Sequence, residues 1–206
     1  MSEVPDPETF FAQRFPAQMN RALADQEQAA AAAQRALEGM RAVSATIRFL
    51  VRGDAGGDFF VNVEQGRCTA ASAPAHPPFL TIALDRSHYE PLWREAGDNV
   101  LGFLGGISGM GSSIKLTKFR VEQIALVGGT LLFELTGPGG FKLLARLGDG
   151  EPSEPADTSI RVDTEAYREL RAGKLEPQEA FLAGKIQVEG DMQRAMQLAL
   201  AVLSPD

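Results

Sequence analysis

The chain of 206 residues has very little cysteine and histidine. Cys68 is the single cysteine, so no disulfide can form within the chain. The two histidines, His76 and His88, stand apart from each other and from Cys68, which leaves no cluster with the spacing of metal ligands. We therefore expect no metal site and no cofactor.

Positive charge and long apolar runs are also scarce. Aspartate and glutamate outnumber lysine and arginine by 27 to 20, which gives a formal net charge of -7. Binding to nucleic acid needs a clustered positive face, so we expect no nucleic-acid partner. No window approaches the roughly 18 consecutive apolar residues of a membrane span. The acidic start, broken by Pro5 and Pro7, does not resemble a signal peptide, and we expect a cytoplasmic protein.

What is present suits a globular fold, with 44% hydrophobic and 23% charged residues. Residues 8–15 predict a short amphipathic helix, and Pro16 suits the first turn of a longer helix over residues 17–41. This helix is rich in alanine, glutamine, glutamate and arginine, all strong helix formers. We interpret it as a spacer or packing helix, since its alanine face is a weak membrane anchor.

From residue 45 the pattern is typical of strands. Apolar residues alternate over 47–51 and again over 59–63, across a glycine-rich turn, which predicts an antiparallel hairpin. Residues 80–84 predict a further strand, and residues 86–94 a helix.

Two composite patterns occur twice in the chain. The pattern T-x-x-F-x-x-x-G begins at Thr46 and at Thr130, 84 residues apart. The pattern I-x-x-D-x-x-x-Y-x-x-L begins at Ile82 and at Ile160, 78 residues apart, with its aspartate at a predicted helix start. We therefore predict a helical extension (1–45), copy A (46–127) and copy B (130–206).

The end of copy B carries a recognisable signature. Residues 173–181 read G-K-L-x-P-x-x-A-F, residues 184–192 read G-K-I-x-V-x-G-x-M, and a predicted helix follows. This ending resembles the C-terminal signature of the sterol carrier protein type 2 family. Copy A is a weaker match, because a glycine-rich stretch over 106–111 replaces the lysine-bearing strand, and residues 115–127 fit either a helix or a strand.

The resemblance implies an α/β (α+β) fold in which helices cover a mostly antiparallel five-stranded sheet, here repeated twice as a pseudo-dimer. It also implies an apolar tunnel that binds a fatty acid, an acyl-CoA, a phospholipid or a sterol without chemistry. We thus expect a non-enzymatic carrier of a single lipid, or alternatively an interaction or lipid-recruitment module for a separate lipid-metabolising enzyme. A lipid is the expected ligand; transient membrane contact and a lipid-metabolising enzyme partner stay open.

The candidate lipid-binding residues come from three parts of the chain. They are sheet and tunnel-wall positions of copy B (Phe133, Leu143, Ile160, Phe181, Leu182, Ile186), one face of its last helix (Met192, Met196, Leu200), and the glycine-rich loop of copy A (Phe103, Leu104, Met110). Plain core packing, and a structural loop for the last group, are the alternatives. Methionine adapts to varied apolar shapes, which favours a ligand role for the helix.

Other clusters predict less. The basic residues Lys115, Lys118 and Arg120 fit a solvated face better than a headgroup site. The glycine-rich stretch lacks the spacing of a phosphate loop. Ser87 and His88 are neighbours that do not face one another on a helix, and we expect no catalytic residues.

Overall fold

The computed structural model describes residues 5–97 and 115–203, with side chains up to residue 201. A short helical turn (Pro7–Thr9) begins at Asp6, whose side chain accepts a hydrogen bond from the Thr9 amide at 2.9 Å. One π-helical turn (Phe10–Arg14) leads into helix α1 (Phe15–Arg41), with proline in its first turn. The predicted N-terminal helix is therefore confirmed.

The first half of the chain contributes four strands and a helix. They are β1 (Ser44–Arg52), β2 (Gly57–Glu64), β3 (Arg67–Ala71), β4 (Pro78–Asp85) and α2 (Arg86–Ala96). A turn at Gly53–Gly56 closes the predicted hairpin of β1 and β2. A side chain at Gly56 would lie 2.1 Å from the Val51 carbonyl oxygen, so this turn requires glycine. The sequence analysis did not predict β3.

The second half begins with α3 (Lys118–Val127), so the segment that fitted helix or strand is a helix. Thr117 caps it by accepting a hydrogen bond from the Arg120 amide at 3.3 Å. The elements that follow are β5 (Gly129–Thr136), β6 (Phe141–Leu147), β7 (Thr158–Asp163), α4 (Thr164–Arg171), α5 (Pro177–Leu182), β8 (Ile186–Gly190) and α6 (Met192–Leu203).

The eight strands of the described ranges form one mixed sheet in the order β3-β2-β1-β4-β6-β5-β7-β8. The α+β class is confirmed. The predicted five-stranded sheet, repeated twice, is not confirmed, because the described strands form one eight-stranded sheet. Strand β4 pairs antiparallel with β6 from Leu80–Leu147 to Ala83–Leu144, which joins the halves. The backbone N–H and C=O groups along the facing edges of β4 and β6 form hydrogen bonds with each other in this pairing.

The two halves repeat the same pairings. The hairpins β1–β2 and β5–β6 are antiparallel, and the pairs β1–β4 and β5–β7 are parallel. Each half adds one further strand at its outer side, β3 on β2 and β8 on β7. The division into two copies with the stated boundaries, and the pseudo-dimer, stay predictions.

Helices cover one face of the sheet. Side chains of α2, α3, α4 and α6 join inward-facing strand residues such as Ile82, Phe133 and Leu143 in one buried cluster. Across the opposite face runs the segment 148–157, where the Ser153 amide donates to the Thr130 hydroxyl at 3.0 Å. The Arg48 guanidinium anchors it by binding Glu151 at 2.6 Å. The sheet therefore separates a helix-covered core from a polar face.

Candidate functional site

The candidate lipid-binding residues on the strands lie in the core under the helices. Phe133, Leu143 and Ile186 are 3%, 1% and 8% exposed, and Ile160 is half-buried against the same cluster. Strand alternation points these side chains to the helix-covered face. Their positions suit either the inner wall of a tunnel or plain core packing, the two roles considered above.

The candidates on the last two helices lie at the surface. Met192, Met196 and Leu200 are 41%, 62% and 63% exposed, and they follow one another every four residues along α6. We call these three residues the α6 stripe. Helix α6 packs on α3, β7 and β8 through its other side, where Ala201 is buried. The stripe is thus an outward apolar face rather than part of the core.

Helix α5 presents two further candidates to solvent. Phe181 and Leu182 are 47% and 78% exposed, while Ala180 is fully buried and anchors the helix. The candidates Phe103, Leu104 and Met110 lie outside the described residues. The candidate lipid-binding residues that the structure describes therefore fall into two groups, buried positions on strands and exposed positions on helices.

A cleft on the polar face of the sheet was missed by the sequence analysis. Its volume is about 450 Å³, and its floor crosses four neighbouring strands through Ala83, Leu144, Leu132 and Ser159. Its walls come from β1, α2 and the segment 154–156. Strand alternation could have assigned these residues to one face, but the order of the strands was needed to bring them together.

Ion pairs surround this cleft. Glu134 accepts hydrogen bonds from Lys142 at 2.9 Å and from Arg161 at 3.0 Å, and these bonds hold the pKa of Glu134 below its ordinary value against the opposing effect of burial. Across the cleft, Arg52 binds Glu154 at 2.6 Å. The cations at the rim are thus paired with carboxylates, while the floor of the cleft is largely apolar, with Ala83, Leu132 and Leu144.

The predicted solvated basic face is only partly correct. Lys115 and Lys118 are exposed, but Arg120 is 7% exposed and donates from Nη1 to the Lys115 carbonyl at 2.6 Å. Arg120 lies on the side of α3 that faces the sheet, together with Val121 and Ile124. The prediction is therefore wrong for Arg120, because a helix buries whichever residues share its inward face.

The described residues offer neither a metal-binding cluster nor a membrane-spanning helix. No group of three or more histidine, cysteine, aspartate or glutamate residues within 5–97 and 115–203 could hold a metal ion. None of the helices in these ranges combines the length and apolarity needed to cross a membrane.

Comparison with known proteins identifies the C-terminal part of the chain. Residues 113–202 match the model of the SCP-2 sterol transfer family. The hydroxysteroid dehydrogenase-like protein 2 of Bos taurus is 37% identical over 80 residues, 39% of this chain and 18% of that protein. The Homo sapiens protein of the same name is 37% identical over 71 residues, 34% of this chain and 16% of its own length.

Solved structures are similar as well. Sterol carrier protein 2 from Yarrowia lipolytica, in its apo form, is 20% identical, covers 52% of this chain and 94% of its own, and superposes with a TM-score of 0.32. Sterol carrier protein 2 like 2 from Aedes aegypti is 18% identical, covers 55% and 95%, and gives the same TM-score of 0.32.

The expectation of a protein without enzymatic activity is wrong, because curated relatives of this segment are named as dehydrogenase-like proteins. The match spans less than a fifth of those proteins and shows no activity in the segment itself. The family match supports lipid binding or transfer in general. The chain is therefore similar to the SCP-2 sterol transfer family over residues 113–202.

Proposed function

We propose that this chain binds and carries one apolar lipid at a time, a fatty acid, acyl-CoA, phospholipid or sterol-like molecule, held in a hydrophobic site that the outward α6 stripe helps to form. The carriage takes place in the cytoplasm. The observation that carries this proposal is the α6 stripe, which exposes three large apolar side chains within the matched segment.

The physical chemistry of such a site needs no reacting group. Each methylene of a lipid chain that leaves water contributes about 0.8 kcal/mol, so a long acyl chain binds through burial alone. Met192 and Met196 have flexible, polarisable side chains that adjust to chains of different shape. An exposed stripe of this kind gains stability when an apolar ligand covers it.

A second candidate function is supported by the names and lengths of the relatives. The matched segment is a small part of longer dehydrogenase-like proteins. In this alternative the chain recruits a lipid substrate to a lipid-metabolising enzyme, as a partner or within one longer protein. The two candidates share the same lipid site and differ in the fate of the ligand.

The test is native mass spectrometry of the gently purified chain, followed by solvent extraction and loading with NBD-labelled stearate. We expect one equivalent of bound lipid, whereas a count of two would indicate a site in each half. A clean apo mass that also resists loading would overturn the lipid proposal and leave only partner binding to be examined.

A matched pair of variants locates the site. Met196 and Gln197 are both exposed neighbours on α6, but only Met196 lies on the stripe. We expect Met196→Glu to weaken NBD-stearate binding at least tenfold, because it places a charge against the acyl chain. Gln197→Glu adds the same charge outside the stripe and should bind like the parent. Equal binding of NBD-stearate by both variants would show that the α6 stripe is not part of the lipid site.

A further inference from the structure

Helix α1 is largely uncovered by the rest of the described chain. It has 27 residues, of which Ala36 alone is buried, and every residue from Phe11 to Arg35 is exposed. Its last turns rest on the body, where Gly39 approaches Thr117 and Arg41 approaches Gly66. Helices in proteins owe most of their stability to packing of an apolar face, and within the described ranges the apolar face of this helix is exposed.

The spacing of that face is the spacing of a coiled coil. Apolar or small residues recur at alternating intervals of four and three over three heptads, with glutamine at one position. They are Met19, Leu23, Gln26, Ala30, Ala33, Leu37 and Met40, which we call the α1 seam. The large members Met19, Leu23, Leu37 and Met40 are 55%, 60%, 40% and 36% exposed. A sustained 3.5-residue repeat is what two helices need to stay in contact.

The residues beside the seam suit a second copy of the same helix. One side is a column of alanines at positions 22, 29 and 36, which allows close approach, and this column ends in the buried Ala36. The other side carries Asn20, Glu27, Gln34 and Arg41, so no row of like charges opposes pairing. The outward side carries both signs, with Arg21, Asp25 and Arg35, unlike the basic face of a helix that binds an anionic membrane.

We propose that two copies of this chain associate through their α1 seams to form a homodimer. The seam is about 33 Å long, and two helices in contact along it bury on the order of 800 Å² in total, below the range of stable specific interfaces and within that of weak, transient ones. The dimer therefore dissociates in the micromolar range, and Gln26, as a polar residue within the seam, fixes its register at a cost in stability.

The alanine run 29–33 provides a test with internal controls. All five alanines are exposed in the single chain, so glutamate at any of them leaves the body of the fold intact. Ala30 and Ala33 lie on the seam, whereas Ala31 and Ala32 lie on the opposite side of the helix. The same alanine-to-glutamate substitution is thus compared on two sides of one turn of α1.

The measurement is sedimentation velocity of the full chain from about 1 to 100 µM, with circular dichroism to check that α1 is formed. We expect the parent chain, Ala31→Glu and Ala32→Glu to approach twice the chain mass of 22.1 kDa at the highest concentration. Ala30→Glu and Ala33→Glu should be at least tenfold weaker in association while binding NBD-stearate normally. A parent chain that stays monomeric, equal effects of all four substitutions, or seam-dependent binding to lipid vesicles by a monomer would each overturn the proposal.

Discussion

The two halves of the sheet share their strand pairings but differ in how well their helices cover them. Phe133 on β5 is 3% exposed, whereas Phe49, at the matching position on β1, is half-buried. Tyr167 on α4 is fully buried and burial raises its pKa to about 12, while Tyr89 on α2 is 43% exposed. The same strand–helix pattern thus buries its aromatic residues fully in one half and only partly in the other.

The order in which the strands pair and the extent to which helices bury them therefore depend on different contacts. Helix α2 is tied to the second half, because the Glu95 carboxylate accepts hydrogen bonds from Arg168 and the Glu95 carbonyl accepts one from Arg171. Its Leu92 reaches the core, but Trp93 is 54% exposed. The first half therefore contributes to a shared core instead of closing one of its own.

The largest expected effect compares Phe133→Ala with Phe49→Ala. Removing the fully buried ring should lower the free energy of unfolding by about 3–5 kcal/mol, since it loses burial and leaves a cavity. Removing the half-buried ring should cost roughly 1–2 kcal/mol. Urea unfolding with an unchanged m-value for both variants measures the difference.

The outcome that contradicts this comparison is equal loss in the two variants. Equal loss would mean that the ring of Phe49 is as well packed as that of Phe133, and the contrast between the halves would then be one of surface exposure rather than of packing.

Much of the local structure was predictable from the sequence, whereas the joined sheet was not. Alternation over 47–51 and 59–63 and the glycines between them predicted the hairpin correctly. The pairing of β4 with β6 brings together residues such as Leu80 and Leu147, which are far apart in the chain. Periodicity describes which face of a strand is apolar, but it does not say which strand lies beside it.

A second expected effect compares two helix starts that the sequence predicted to be alike. The Asp163 side chain accepts hydrogen bonds from the Glu165 and Ala166 amides at 2.9 and 3.3 Å, whereas Asp85 occupies the same position on α2 without a side-chain cap. Asp163→Ala should lower the free energy of unfolding by about 1 kcal/mol, and Asp85→Ala by a few tenths at most. Thermal melts of the two variants distinguish them, and a larger loss for Asp85→Ala would reverse the comparison.

The candidate site was predictable to a similar extent. Spacing correctly placed Met192, Met196 and Leu200 on one face of a helix. It did not reveal that this face points outward, because spacing shows which residues share a face and not what the face meets. The cleft on the polar side was missed for the same reason, since its floor depends on the order of four strands.

The smallest expected effect concerns acid. The hydrogen bond from the Thr130 amide at 2.6 Å, with Arg194 at 3.1 Å, holds the pKa of Asp157 below its ordinary value against the opposing effect of burial. A lowered pKa in the folded state means that Asp157 stabilises the fold above its ordinary pKa near 4, and that this contribution is lost as the pH falls through the folded value. The matching position in the first half is Phe79, which does not titrate.

Acid should therefore loosen the second half first, around the start of β5. Amide hydrogen exchange between about pH 5 and pH 3 should show earlier loss of protection at β5 and β7 than at β1 and β4. Asp157→Asn keeps a similar shape without the charge, so it should be less stable at neutral pH and less sensitive to acid than the parent. Protection lost first at β1 and β4 would contradict this expectation. The acid sensitivity would then come from the looser packing of the first half and not from the Asp157 contact.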